Sequence, residues 1–241
     1  MKTLNYFLIA VLAVSLASCG ASKNGKAQAL DARGTDRTVL VKELNRKAIK
    51  QARTEAKNLK KQGYQTFIGD LPMDRQVENS LLKTVDVNDL GYQAFIVGHA
   101  EVTAGNITAA KSQALQTAKV EIASLTSSMI ASLVESSVTN NEITTEDAVS
   151  INKSIEASKG LVIADLGQVS KELEIYRTLP NKNVHLILRL SYNAGTALEA
   201  ARRRAQEKLE GEAQDLHKKL DNILKLDRLP ASSNTNIRFN D

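Results

Sequence analysis

The chain has 241 residues, 42% of them hydrophobic and 24% charged, with a net charge of +5, a single cysteine and no tryptophan. These proportions describe a globular chain and exclude a low-complexity or collagen-like one. One cysteine excludes a disulfide framework or a cysteine-rich metal site, and aromatics at 4% leave little to stack on bases or sugars.

The N-terminus has the layout of an export signal. Lys2 supplies a positive start, residues 4–14 are apolar, and Leu16-Ala17-Ser18-Cys19 follows at once. The apolar run falls short of the roughly 20 residues that a membrane-spanning helix needs, so it reads as a removable segment. Small residues at Ala17 and Ser18 admit an extended chain to a peptidase, and the Cys19 thiol is a nucleophile able to carry diacylglycerol. Leu-Ala-Ser-Cys resembles the lipobox of bacterial lipoproteins. That resemblance implies cleavage after residue 18, lipid attachment at Cys19 and anchoring in the cell envelope. Gly20 and Ala21, where an aspartate would favour inner-membrane retention, point to the outer membrane. Export also removes nucleic acid as the partner for the surplus positive charge, leaving the membrane reached through the Cys19 lipid and an envelope protein or a second copy of the chain.

Residues 20–37 are small and polar without apolar periodicity, and read as a flexible tether. From Thr38 onward Val41, Leu44, Ala48, Ala52, Ala56 and Leu59 recur at helical spacing, with Gly63 placed to end the helix. Lys42, Arg46, Lys47, Lys50, Arg53 and Lys57 form its basic, solvated face. Residues 64–68 suit a short extended piece. Pro72 then opens a helix reaching Thr84, with Met73, Val77 and Leu81 turned inward.

Residues 92–103 alternate as a strand, with Ile96, Gly98, Ala100 and Val102 on one face. Gly98 in mid-strand implies close approach of a helix. A long helix is expected over residues 108–139, buried along Leu115, Ala118, Ile122, Leu125, Met129 and Leu133. A shorter helix follows over 145–158, capped by Thr144 or Thr145 and stopped by Gly160. Residues 161–177 and 184–192 read as a hairpin around Leu179-Pro180-Asn181-Lys182-Asn183. Residues 196–226 suit one charged helix of roughly 45 Å at about 1.5 Å per residue. Its seam of Leu198, Ala205, Leu209, Leu216, Leu220 and Ile223 is a candidate coiled-coil or dimer element, with pairing onto the N-terminal helix at Leu44 to Leu59 as the alternative. The remaining tail, 229–241, has a disordered composition.

The resulting organisation is a signal peptide at 1–18, a lipidated tether at 19–37, an N-terminal helical region at 38–90, a strand–helix–hairpin core at 91–194, a long helix at 195–228 and the tail. The fold class is α+β, with an antiparallel sheet packed on a long helix. No catalytic, cofactor or metal constellation emerges. His99, His185 and His217 are separated and lack zinc-site spacing, and phosphate loops and a Gly-x-Ser-x-Gly elbow are absent. Glu142, Glu146 and Asp147 suit helix ends, and Arg202-Arg203-Arg204 points in three directions around a helix, about 100° apart.

Residues 96–102, Ile-Val-Gly-His-Ala-Glu-Val, followed by the alanine-rich run from Ala109 to Lys119, resemble the Lpp-twenty type of bacterial envelope lipoprotein. There a glycine-bearing strand leads into an alanine-rich helix, and a hairpin comes later. The similarity covers residues 92–192, and Leu179-Pro180-Asn181-Lys182-Asn183 is similar to Bacteroides-type members. It implies an α+β envelope lipoprotein with no catalytic residues to carry over. The expected function is a non-enzymatic structural or protein-interaction module at the outer membrane. The alternative is a carrier of a small apolar ligand, recognisable by a sizeable cavity between sheet and long helix, and after it a carboxylate-based envelope hydrolase.

Overall fold

The computed structural model describes residues 25–88, 92–209 and 214–224. The expected signal peptide, Cys19 and the tail at 229–241 lie outside the described residues. The chain divides into two units, residues 1–42 and 43–241. Helix α1, Gly25–Lys61, begins well before the expected Thr38, so residues 25–37 of the anticipated tether are helical. Ala27, Gln28, Ala29, Leu30, Ala32 and Arg33 are strong helix formers, and such residues extend a helix without apolar periodicity. Gly63 ends it as expected, at φ +85°, with the Tyr64 N–H donating to the Leu59 carbonyl.

The second unit is built on an antiparallel sheet in the order β1-β3-β4-β2. β1 is Gln65–Thr66, β2 is Phe95–Ala104, β3 is Ser170–Thr178 and β4 is Val184–Asn193. The α+β class expected from the sequence is therefore the observed one. Helix α2, Met73–Val85, follows Pro72 and buries Met73 and Val77 with Leu173, Ile175 and Ile187, covering one face of the sheet together with Ala52 and Ala56 of α1. Helix α3, Ile107–Thr139, covers the other face, where Ile96, Ala100, Leu186, Leu188 and Leu190 meet Ala110, Ala114, Ala118 and Ile122. Asn106 caps α3 by accepting the Ala109 N–H at 2.8 Å. The two faces follow from the period of two in β2 and β4.

The sheet accounts for only half of α3. From Ala123 onward its inner side joins α4, Thr145–Asp165, α5, Ala194–Lys208, and α6, Gln214–Leu224, in a second, helical core of Ile130, Val134, Ile151, Ile155, Leu198 and Leu220 among others. Asp147 and Thr144 form a capping box that starts α4.

Four expectations change. The buried line of α3 is only partly the expected stripe: Ala118 and Ile122 are buried as expected and Met129 and Leu133 half-buried, but Leu115 and Leu125 are 42% and 40% exposed, and Ala110, Ala114, Ile130 and Val134 are buried as well. Small residues spaced by four make a low ridge that lets the helix lie on Gly98, whereas a leucine ridge would hold it away. Gly160 does not stop α4, which runs on to Asp165. The buried Val162 and Leu166 beyond it offset the roughly 1 kcal/mol that a helical glycine costs. Residues 161–165 are accordingly helical, and the first hairpin strand begins only at Ser170. The C-terminal helix is two helices, and its seam of Leu209, Leu216, Leu220 and Ile223 is buried against α3, α4 and α5. It neither projects as a bare stripe nor pairs with Leu44 to Leu59.

The rotated face of α3 has a direct test. Ile122→Ala is expected to cost about 3 kcal/mol, whereas Leu125→Ala costs under about 1 kcal/mol. Urea denaturation reads both, and equal losses would return Leu125 to the core.

Candidate binding groove

The leucine stripe, half-buried at Met129 and Leu133 and exposed at Leu125, lines a cavity. Leu125, Met129 and Leu133 step by four along α3, and Ser128, Ser132 and Ser136 run beside them, giving adjacent apolar and hydroxyl ridges. They form one wall of a half-open groove of about 1430 Å³. Its floor is Gln93 and Ala94 with Ile96, Val97 and His99 at the start of β2. The opposite wall comes from Ser80, Leu81 and Thr84 of α2 with Gln51 and Glu55 of α1, and the end is closed by Leu198 of α5 and by Ile223 and Leu224 of α6. The groove exists because α3 outruns the sheet. Where the strands stop, its outward side has no sheet residue to pack on.

The groove is chiefly apolar and neutral. Its lining cation, Arg189, is held by the Glu55 carboxylate at 2.5 Å. Glu142 accepts a hydrogen bond from the Ser137 hydroxyl at 3.0 Å. The Ser80 hydroxyl is buried and has no hydrogen-bond partner among the described residues, although it borders the groove. Such orphaned buried groups are uncommon and call for an explanation.

The structure disperses the polar residues that the sequence singled out. His99 lies on the groove floor, and its backbone N–H donates to the Glu121 carboxylate of α3. His185 lies on the sheet face covered by α1 and α2, its Nδ1 2.9 Å from the Tyr64 hydroxyl and its Nε2 3.2 Å from Glu101. Burial pushes the Tyr64 phenol above its ordinary pKa. His217 lies on α6, away from both. Asp147 takes part in the α4 cap and in an ion pair with Lys219 at 2.9 Å, which holds its carboxyl below the usual range.

The three arginines divide unevenly. Arg202 turns to Glu199 and Asp221, while Arg204 and Arg203 converge on Asp165 at the end of α4. Arg204 binds it with two nitrogens, at 2.6 and 2.7 Å, and the two guanidinium groups hold the Asp165 carboxyl down to about 2. These contacts fasten α5 to α4 and α6 and leave each of the three arginines paired within the chain.

No protein-family model, curated protein or solved structure matches this chain. The geometry of the groove therefore carries the functional argument. Its signal in the sequence was the presence of two stripes on one helix, an alanine stripe and a leucine stripe, of which only one can face a sheet.

Proposed function

We propose that the protein is a lipid-anchored lipoprotein of the bacterial cell envelope, held at the outer membrane through Cys19, and that it acts as a non-enzymatic protein-interaction module. The groove between β2 and α3 is its binding surface and is the observation that carries this reading. Kinship with the Lpp-twenty type of lipoprotein belongs to the same proposal and rests on residues 96–119. A groove flanked by exposed and half-buried leucines and neutral hydroxyls suits a macromolecular segment, since apolar contacts supply affinity and the polar rim supplies register. The carboxylates lining it are engaged by Arg189 and Ser137, an arrangement that supports binding over acid–base chemistry. Among the described residues no helix is long and apolar enough to cross a membrane, which is compatible with anchoring by lipid.

Two experiments test this reading. Cys19→Ser is expected to abolish incorporation of a fatty-acid analogue and to release the protein from membranes, because a serine hydroxyl cannot form the thioether. Label persisting on the serine variant would end the lipoprotein reading. A photo-crosslinking residue in place of Leu133 is expected to yield a discrete protein adduct in intact cells, one missing when the same residue replaces Val149 on the exposed side of α4. The size of the groove also accommodates the second reading, a carrier of a small apolar ligand, for which the Leu133 adduct would be lipid instead of protein.

A further inference from the structure

The floor of the groove is a sheet edge, closed at Gln93 by an antiparallel bridge to Val87 and open along β2 beyond it. In β2 the even-numbered residues face β4: just ahead of the strand the Ala94 carbonyl accepts the Ala194 N–H at 3.0 Å, while the Ala94 N–H donates to the Asp86 carbonyl, and Gly98 stands opposite Leu190 in the same register. In an antiparallel pair the intervening residues turn their N–H and C=O groups the other way. Phe95, Val97 and His99 therefore present theirs to the open side. The His99 N–H is taken by the Glu121 carboxylate. The backbone groups of Phe95 and Val97 have no hydrogen-bond partner among the described residues. Beside this row lies the buried, unpartnered Ser80 hydroxyl.

Open edges of this kind are usually blunted. Here the Glu121 carboxylate closes one position of the groove floor, at His99, and leaves Phe95 and Val97 open. Main-chain groups repeating every two residues, about 6.8 Å apart, are matched by another extended backbone. An acyl chain or a sugar does not match that repeat. Charge narrows the choice further. Arg189 is already paired with Glu55, and Lys83, outside the lining, lies over the Phe95 ring, whereas Glu142 in the lining and Glu121 beside His99 have no cationic partner among the described residues, so the otherwise neutral groove offers carboxylates to a basic group. An anionic headgroup finds no free cation along its lining, and a basic side chain finds Glu142 within it and Glu121 beside His99.

We propose that the groove binds an extended, lysine- or arginine-bearing peptide segment of a partner protein, which adds as a strand to the β2 edge at Phe95 and Val97. Its alternate side chains rest on Leu125 and Met129 of α3 and on Leu81 of α2. This rests on the groove being the binding surface, as argued above, and specifies what enters it.

The test uses the full-length protein in detergent micelles and fluorescence anisotropy. The probes are a fluorescein-labelled heptapeptide alternating valine and lysine, its backbone N-methylated form, its valine–glutamate counterpart and a fluorescent anionic phospholipid. The valine–lysine peptide is expected to bind, with the N-methylated and glutamate forms weaker by about tenfold or more, a difference of about 1.4 kcal/mol. Val97→Pro removes the outward N–H without touching the ladder to β4, and is expected to weaken the peptide by a similar factor with unchanged melting temperature. Should that variant be unstable, Glu121→Lys serves instead, and is expected to reverse the preference between the lysine and glutamate peptides. Met129→Lys is expected to abolish binding of any groove ligand. Peptide binding lost in Met129→Lys but indifferent to N-methylation and to Val97→Pro would overturn strand addition and leave the groove as a binding surface. Phospholipid binding without peptide binding would overturn strand addition in favour of a lipid carrier. No probe sensitive to Met129→Lys would overturn both.

Discussion

Gly98→Ala is expected to destabilise the protein by about 3 kcal/mol, at the upper end of what overpacking by one carbon costs. A Cβ at Gly98 would stand 2.3 Å from the Ala118 carbonyl oxygen and 2.7 Å from Cγ1 of Ile122. The first of these is helix backbone, which no rotamer change can move aside. The whole of α3 would have to lift from the sheet, loosening the contacts that Ala114, Ala118 and Ile122 make with β2 and β4. Gly105→Ala, with nothing within 4 Å of the added carbon, is the matched control and is expected to change little. Guanidinium denaturation of the two variants gives the comparison, and similar midpoints would mean that helix and strand are not in close contact at Gly98.

Leu220→Glu is expected to cost about 4 kcal/mol or more, because it places an ionisable group without a partner in an apolar core. Leu220 is fully buried among residues of α3, α4, α5 and α6. Since the seam that it belongs to is satisfied within one chain, the loss of stability is expected without any change of mass in solution. Asn222→Glu, on the exposed side of the same helix, should be close to neutral. Thermal melting combined with light scattering reads both quantities. A wild-type oligomer that becomes a stable monomer on Leu220→Glu would restore the seam as an interface between chains.

The elements that were legible in the sequence are those whose signal is local. The alternation of Ile96, Gly98, Ala100 and Val102, and that of Val184, Leu186, Leu188 and Leu190, identified the strands and the faces that they bury, because a strand's period of two depends on nothing beyond the chain itself. Gly63 as a helix stop, Thr144 as a cap and the tight approach at Gly98 were legible for the same reason: each is a demand made by a few neighbouring backbone atoms. The α+β class followed from the order of these pieces.

Tertiary structure decided what periodicity leaves open. Helix α3 carries an alanine ridge and a leucine ridge, and hydrophobicity alone favours the leucines. The sheet selected the alanines because close packing with Gly98 demands small side chains, and the leucines were left to line the groove. Gly160 was a plausible stop until Val162 and Leu166 found a core to enter, and the C-terminal seam looked bare until α4 supplied its partner surface. The groove itself had no local signal beyond the two stripes of α3, since it is assembled from seven elements and arises from a mismatch in length between a helix and the strands beneath it. A sequence states which surfaces of an element are apolar, but which of them meets a neighbour depends on the shape of that neighbour, and shape exists only after the elements have packed.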